Sequence, residues 1–156
     1  MKNFARLVSL TALVFLIQCT KTTSPKAATR SPEDVVKAFV QQSAAIKDAS
    51  EKKGLVDSCT GEMKQAFSGM TEEQFRIFYL NGNIKIEDLK ILATHQEGET
   101  ATVRYQVKVE NKQGTDITNE LNEREAALRF VDGEWLIESV RPRGIDKLAF
   151  TRGMIF

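Results

Sequence analysis

The chain has 156 residues, 42% hydrophobic and 28% charged, with 22 basic and 21 acidic side chains. That near-balance argues against a nucleic-acid surface, which is strongly basic. The length suits one domain with a single core that needs no covalent staples.

Lys2 and Arg6 form a short positive region, and Leu7 through Ile17 is an apolar run interrupted only by Ser9 and Thr11. The run ends in Leu16-Ile17-Gln18-Cys19. A positive start, a short apolar core and a cysteine together resemble a bacterial lipoprotein signal peptide with its lipobox. The resemblance implies that residues 1–18 are a signal peptide cut before Cys19. It further implies that Cys19 is thioether-linked to diacylglycerol and that the new N-terminus is acylated. Gln18 departs from the small residue usual before the cysteine. A transmembrane helix needs about 20 apolar residues, more than this run holds. An ordinary secretory signal needs a small-x-small site, which Pro25-Lys26-Ala27-Ala28 does not provide. Each buried CH₂ contributes ~0.8 kcal/mol, so two or more chains give stable attachment. The implied partner is therefore the membrane, through an N-terminal lipid, in the bacterial cell envelope. Asp after the cysteine retains enteric lipoproteins in the inner membrane; Thr20 here points to the outer membrane, facing the periplasm.

Loss of Lys2 and Arg6 with the signal lowers the 22 basic residues to 20, against 21 acidic ones. Once Cys19 is lipidated, only Cys59 remains, so neither a disulfide scaffold nor a cysteine zinc site can form. Beside Leu55 and Val56, Cys59 reads as a small buried hydrophobe. Residues 19–30 are a lipidated flexible linker of Lys, Thr, Ser, Pro and Ala.

The folded domain starts at Ser31 and runs, with a C-terminal tail, to Phe156. Ser31-Pro32-Glu33-Asp34 is a helix-start signal, and Val36, Phe39, Val40 and Ser43 follow at helical spacing. A second helical stretch covers Ser50 to Cys59. Met63, Ala66, Phe67 and Met70 form an amphipathic pattern. Thr71-Glu72-Glu73-Gln74 is a capping box opening a helix with Phe75, Ile77, Phe78, Tyr79 and Leu80. Asn81-Gly82-Asn83 closes the helical half.

From Ile84 the period becomes two. Leu89, Ile91 and Ala93 alternate with polar residues, and Glu97-Gly98 turns the chain. Ala101, Val103, Tyr105, Val107 and Val109 share one strand face. After a turn at Lys112-Gln113-Gly114, a long strand runs to Val131. Its apolar parity shifts between Leu121 and Ala126, which predicts a bulge at Asn122 to Glu125. Asp132-Gly133 is a two-residue hairpin signal. Counting outward pairs Phe130 with Trp135, Leu128 with Ile137 and Ala126 with Ser139 on one face. Val131–Glu134, Arg129–Leu136 and Ala127–Glu138 pair on the other. Beyond Arg141-Pro142-Arg143-Gly144, the tail carries Ile145, Leu148, Phe150, Met154, Ile155 and Phe156.

Helices first and an antiparallel meander second predict an α+β fold, with N-terminal helices packed on a bent antiparallel sheet of about four strands. Ser31 to Phe39, Gly98 to Val103 and Phe130 to Ile137 resemble the opening helix, second long strand and final hairpin of small NTF2-like (cystatin-like cone) lipoprotein domains of unknown function. That resemblance implies a sheet curled round the helices, either filled or open to a ligand, and a homodimer formed through the sheet.

Chemistry is sparse. His95, the only histidine, precedes a turn and reads as exposed. A metal site lacks a ligand cluster, no cofactor motif is present, and no carboxylate falls on an assigned inward position. The stretch Glu120 to Glu125, Arg124 included, reads as a solvated strand. Phe39, Tyr79, Tyr105, Phe130 and Trp135 are the candidate pocket-lining residues, with aromatic core as the competing reading. The functional expectation is a membrane-tethered, non-enzymatic binding or assembly module for an envelope protein. The alternative is a small apolar-ligand carrier or cone enzyme using the aromatic-lined interior.

Overall fold

The computed structural model describes residues 30–80, 83–113 and 115–156. The stretch expected to be a signal peptide, residues 1–18, with Cys19 and all of the expected linker except Arg30, lies outside the described residues.

Helix α1 spans Pro32–Ala45. Ser31 caps it: its Oγ accepts from the Asp34 N–H at 3.2 Å, with Pro32 in the first turn. Its buried stripe is Val35, Val36, Phe39, Val40 and Ser43. A 3₁₀ turn at Ala49–Glu51 leads into α2, Lys52–Asp57. Asp48 and Glu51 cap that turn reciprocally. Helix α3, Gly61–Gly69, buries Met63 and Phe67. The expected capping box opens α4, Glu72–Phe75: the Thr71 N–H donates to Gln74 Oε1 at 2.9 Å, and the Gln74 N–H to Thr71 Oγ1 at 3.1 Å. The chain then widens into π-helical Arg76–Leu80. This segment buries Tyr79, as α4 buries Phe75, but leaves Ile77 and Phe78 each 49% exposed.

Four strands follow, β1 (Asn83–Glu97), β2 (Thr100–Gln113), β3 (Asp116–Val131) and β4 (Glu134–Pro142), and they pair in sequence order as an antiparallel meander. The fold is α+β, with the helices against one face of the sheet. A short helix α5, Arg152–Ile155, ends the described chain. Val103, Tyr105 and Val107 of β2, with Ala126, Leu128 and Ile137, meet Val36, Phe39, Met63, Phe67 and Phe75 in one core.

The hairpin is as expected. Asp132 and Gly133 have φ of 53° and 94°, the left-handed pair a type I′ turn requires. Phe130 pairs with Trp135, Leu128 with Ile137, Arg129 with Leu136 and Val131 with Glu134.

Three register expectations change. β3 runs against β2 without a bulge at Asn122 to Glu125. The apolar parity shifts there because Leu121 and Ile117 lie on the outer face, 64% and 56% exposed. The bulge is instead in β4, where Glu138 is the extra residue, so Ala126 pairs with Val140 and Ala127 with Ser139. Glu138 turns to the outer face and holds Arg129 Nη2 at 2.7 Å. In β1, Leu92 is a second extra residue, which carries Ala93 to the outer face opposite Arg104. Glu87 is a third, and all three bend the sheet locally.

The β4 edge is covered. Ile137 N–H donates to Ser58 O at 3.1 Å, Thr60 N–H to Ile137 O at 2.8 Å, and Ala149 N–H to Val140 O at 2.7 Å. This closes off an edge that would otherwise present unpaired backbone groups.

Candidate functional site: the inner face of the sheet and its tail

The five candidate pocket residues do not face one space. Phe130 and Trp135 meet beside the hairpin turn, ring centroids 5.2 Å apart, with Trp135 5% exposed and Phe130 half-buried. Tyr105 lies opposite Arg124, six residues along β3 from Phe130, which is about 20 Å at the rise of a strand. Tyr79 stacks on Phe75 at 4.7 Å with planes 11° apart, and Phe67 approaches it edge-on at 5.6 Å. Phe39 sits in the α1 stripe at 2% exposure.

Between the Tyr79 cluster and the middle of the sheet lies the tail. Ala149, Ile155 and Phe156 are fully buried. Tyr105 and Arg124, directly paired across β2 and β3, supply the polar groups that hold it. Tyr105 Oη donates to Ile155 O at 2.8 Å. Arg124 Nε donates to Met154 O at 2.6 Å, Nη2 to Phe156 O, and Nη1 to Glu123 O at 3.2 Å. The tail returns one anchor of its own: Arg152 Nη2 donates to Ile46 O at the end of α1, and the guanidinium lies 5.5 Å from the Tyr79 ring centroid. A cation at a helix C-terminus is favourable, because the last carbonyls carry partial negative charge.

Arg124 corrects the reading of Glu120 to Glu125 as a wholly solvated strand, since it is only 9% exposed. With no bulge at Asn122 to Glu125, Arg124 shares a strand face with Ala126, Leu128 and Phe130. Arg152 was missed as well, and the chain gives no local pattern that would have marked it.

Burial governs the ionisable groups here. It raises the Tyr79 and Tyr105 phenols well above their ordinary range and lowers both buried guanidiniums. The Cys59 thiol, also buried, is raised to about 12, which makes it a poor nucleophile. Among the described residues, no hydrogen bond of good geometry reaches buried Ser43 Oγ, Tyr79 Oη or Arg152 Nε. His95 is exposed and 3.0 Å from Glu97 Oε1. Among the described residues there is no group of three His, Cys, Asp or Glu side chains placed to hold a metal, and no helix long and apolar enough to cross a membrane.

A separate open cleft of about 480 Å³ runs between α1 and β1, lined by Gln41, Ala44, Ala45, Ile84, Lys85 and Ile86.

No family model matches the chain, and no curated protein does. Among solved structures it is similar to a SEC-C motif containing protein from Rhodopseudomonas palustris, determined in solution. The two are 12% identical, with 72% of this chain and 78% of that chain covered and a TM-score of 0.49.

Proposed function

We propose that this chain is a membrane-tethered envelope lipoprotein whose NTF2-like domain is a non-enzymatic binding or assembly module. The tether rests on the positive start, the apolar run and Cys19, with residues 19–30 as the spacer. One observation carries the module reading. The inner face of the sheet is packed by the chain's own helices and tail, with Phe39, Tyr79, Tyr105, Ile155 and Phe156 at 2% exposure or less. General acid–base work needs a titrating group within reach of a substrate, whereas burial holds these phenols protonated. The surface, by contrast, offers apolar contact: Ile77, Phe78, Ile117, Leu121, Ile145 and Phe150 are 38% exposed or more. Ile117 and Leu121 lie on the outer sheet face, where a sheet-mediated homodimer would meet. A second reading, carriage of a small apolar ligand, draws on the cleft between α1 and β1 and its lining of Ala44, Ala45, Ile84 and Ile86.

Cell fractionation with labelled palmitate tests the tether. The wild-type chain is expected to incorporate label and to sediment with membranes, and Cys19→Ser to do neither. An unlabelled, soluble wild type would mean that Gln18 defeats the lipobox.

A further inference from the structure

The tail is bound as a ligand would be bound. It reaches its seat after β4 through an irregular segment whose residues Arg143 to Lys147 are exposed. The two side chains that receive it, Tyr105 and Arg124, belong to the central strands, which pair continuously from Thr100–Arg129 to Gln113–Asp116. The seat is therefore built by the sheet, not by the tail. Its donors address main-chain oxygens, those of Met154, Ile155 and Phe156, and read none of the tail's side-chain polar groups. Ile155 and Phe156 are fully buried in the apolar core beside them. Any short apolar segment able to present a turn of carbonyls meets the same chemistry.

We propose that the Tyr105–Arg124 seat is a peptide-binding site, occupied in this structure by residues 152–156 in cis, and that its partner in assembly is the same apolar tail segment of a second copy of this chain. This rests on the assembly-module reading and names the surface and the partner chemistry. The α5 helix has a single turn; Arg152 fastens its far side to Ile46 O and the Tyr79 ring, and Ala149 N–H ties the approaching chain to Val140 O. Loosening Arg152 lowers the occupancy of the seat without touching the seat itself. A tail in cis competes at high effective concentration, so an incoming segment binds in proportion to the fraction of open seats.

The test uses the full purified chain in solution, where failure of the lipid tether has no bearing. The probe is a fluorescein-labelled peptide of residues 148–156, followed by anisotropy. Arg152→Ala is expected to bind it saturably and at least tenfold more tightly than the wild type. Adding Arg124→Gln to that variant is expected to abolish binding. No saturable binding to an Arg152→Ala chain that still melts cooperatively would overturn the proposal, as would binding that survives Arg124→Gln. Hydrogen exchange on the wild type guards against a variant that fails to fold. The amides of Ile155 and Phe156, which bond to Thr151 O and Arg152 O, should exchange at least tenfold faster than those of β2 and β3. Exchange as slow as the central strands would mean that the tail opens only with global unfolding, and the seat would then be no binding site.

Discussion

Trp135→Ala should be among the most costly single truncations on the sheet. Trp135 is 5% exposed, inward-facing on β4 and in ring contact with Phe130. An indole buries on the order of 200 Å². At ~25 cal/mol per Å² the transfer contribution is about 5 kcal/mol, from which the part retained by alanine must be taken. Phe130 is only half-buried and lies next to the turn, so it has room to settle into the vacated space. Partial collapse reduces the cavity penalty, which sets the expected loss at about 3 kcal/mol, the low end for such truncations. Urea unfolding followed by far-UV circular dichroism measures it, with an unchanged slope showing that the same surface is exposed. Trp135→Phe refills most of the volume and should cost about 1 kcal/mol. As the single tryptophan, Trp135 also reports directly: its emission should be blue-shifted and poorly quenched by iodide. A loss below about 1 kcal/mol for alanine, or free quenching, would refute the inward register of β4.

Gly133→Val should cost about 2 kcal/mol in the same assay, because a β-branched residue resists the positive φ of 94° at that position; an unchanged midpoint would refute the type I′ turn. Stability should fall in alkali in a defined window. The folded thiol of Cys59 titrates at about 12 against an ordinary 9.0, so its contribution is fully present below pH 9 and is lost as pH rises towards 12. The slope is at most ~1.4 kcal/mol per pH unit for one group. Cys59→Ala should delay the onset until the buried tyrosines begin to contribute above pH 10; identical melting curves between pH 9 and 10 would contradict the buried thiol.

Local signals in the chain are legible wherever a short motif carries its own geometry. Ser31-Pro32, the Thr71–Gln74 box and Asp132-Gly133 each specify a cap or turn through neighbours within four residues, and each is in place. Register was harder. A bulge at Glu138 or Leu92 depends on what the strand meets across the sheet, here Arg129 for Glu138, and alternation along one strand does not encode it. The candidate site shows the same division. The aromatics were legible as inward residues. The seat was not, because Arg124 stands among acidic neighbours where the apolar alternation of the strand lapses. Arg124 meets its tail partners Met154 and Phe156 across 30 and 32 residues, and Arg152 reaches across 106. The π-helical widening at Arg76–Leu80 likewise follows from packing Phe75 and Tyr79 onto Phe67, a contact that helical periodicity alone does not foretell.

The most direct measurement of the central claim is the mass of the mature N-terminus. Protein extracted from membranes with detergent and digested with trypsin should yield an N-terminal peptide beginning at Cys19 and carrying a diacylglyceryl group, with or without an amide-linked acyl chain. An N-terminal peptide beginning at Met1, or one cut at another position with Cys19 unmodified, would contradict the tethered-module account.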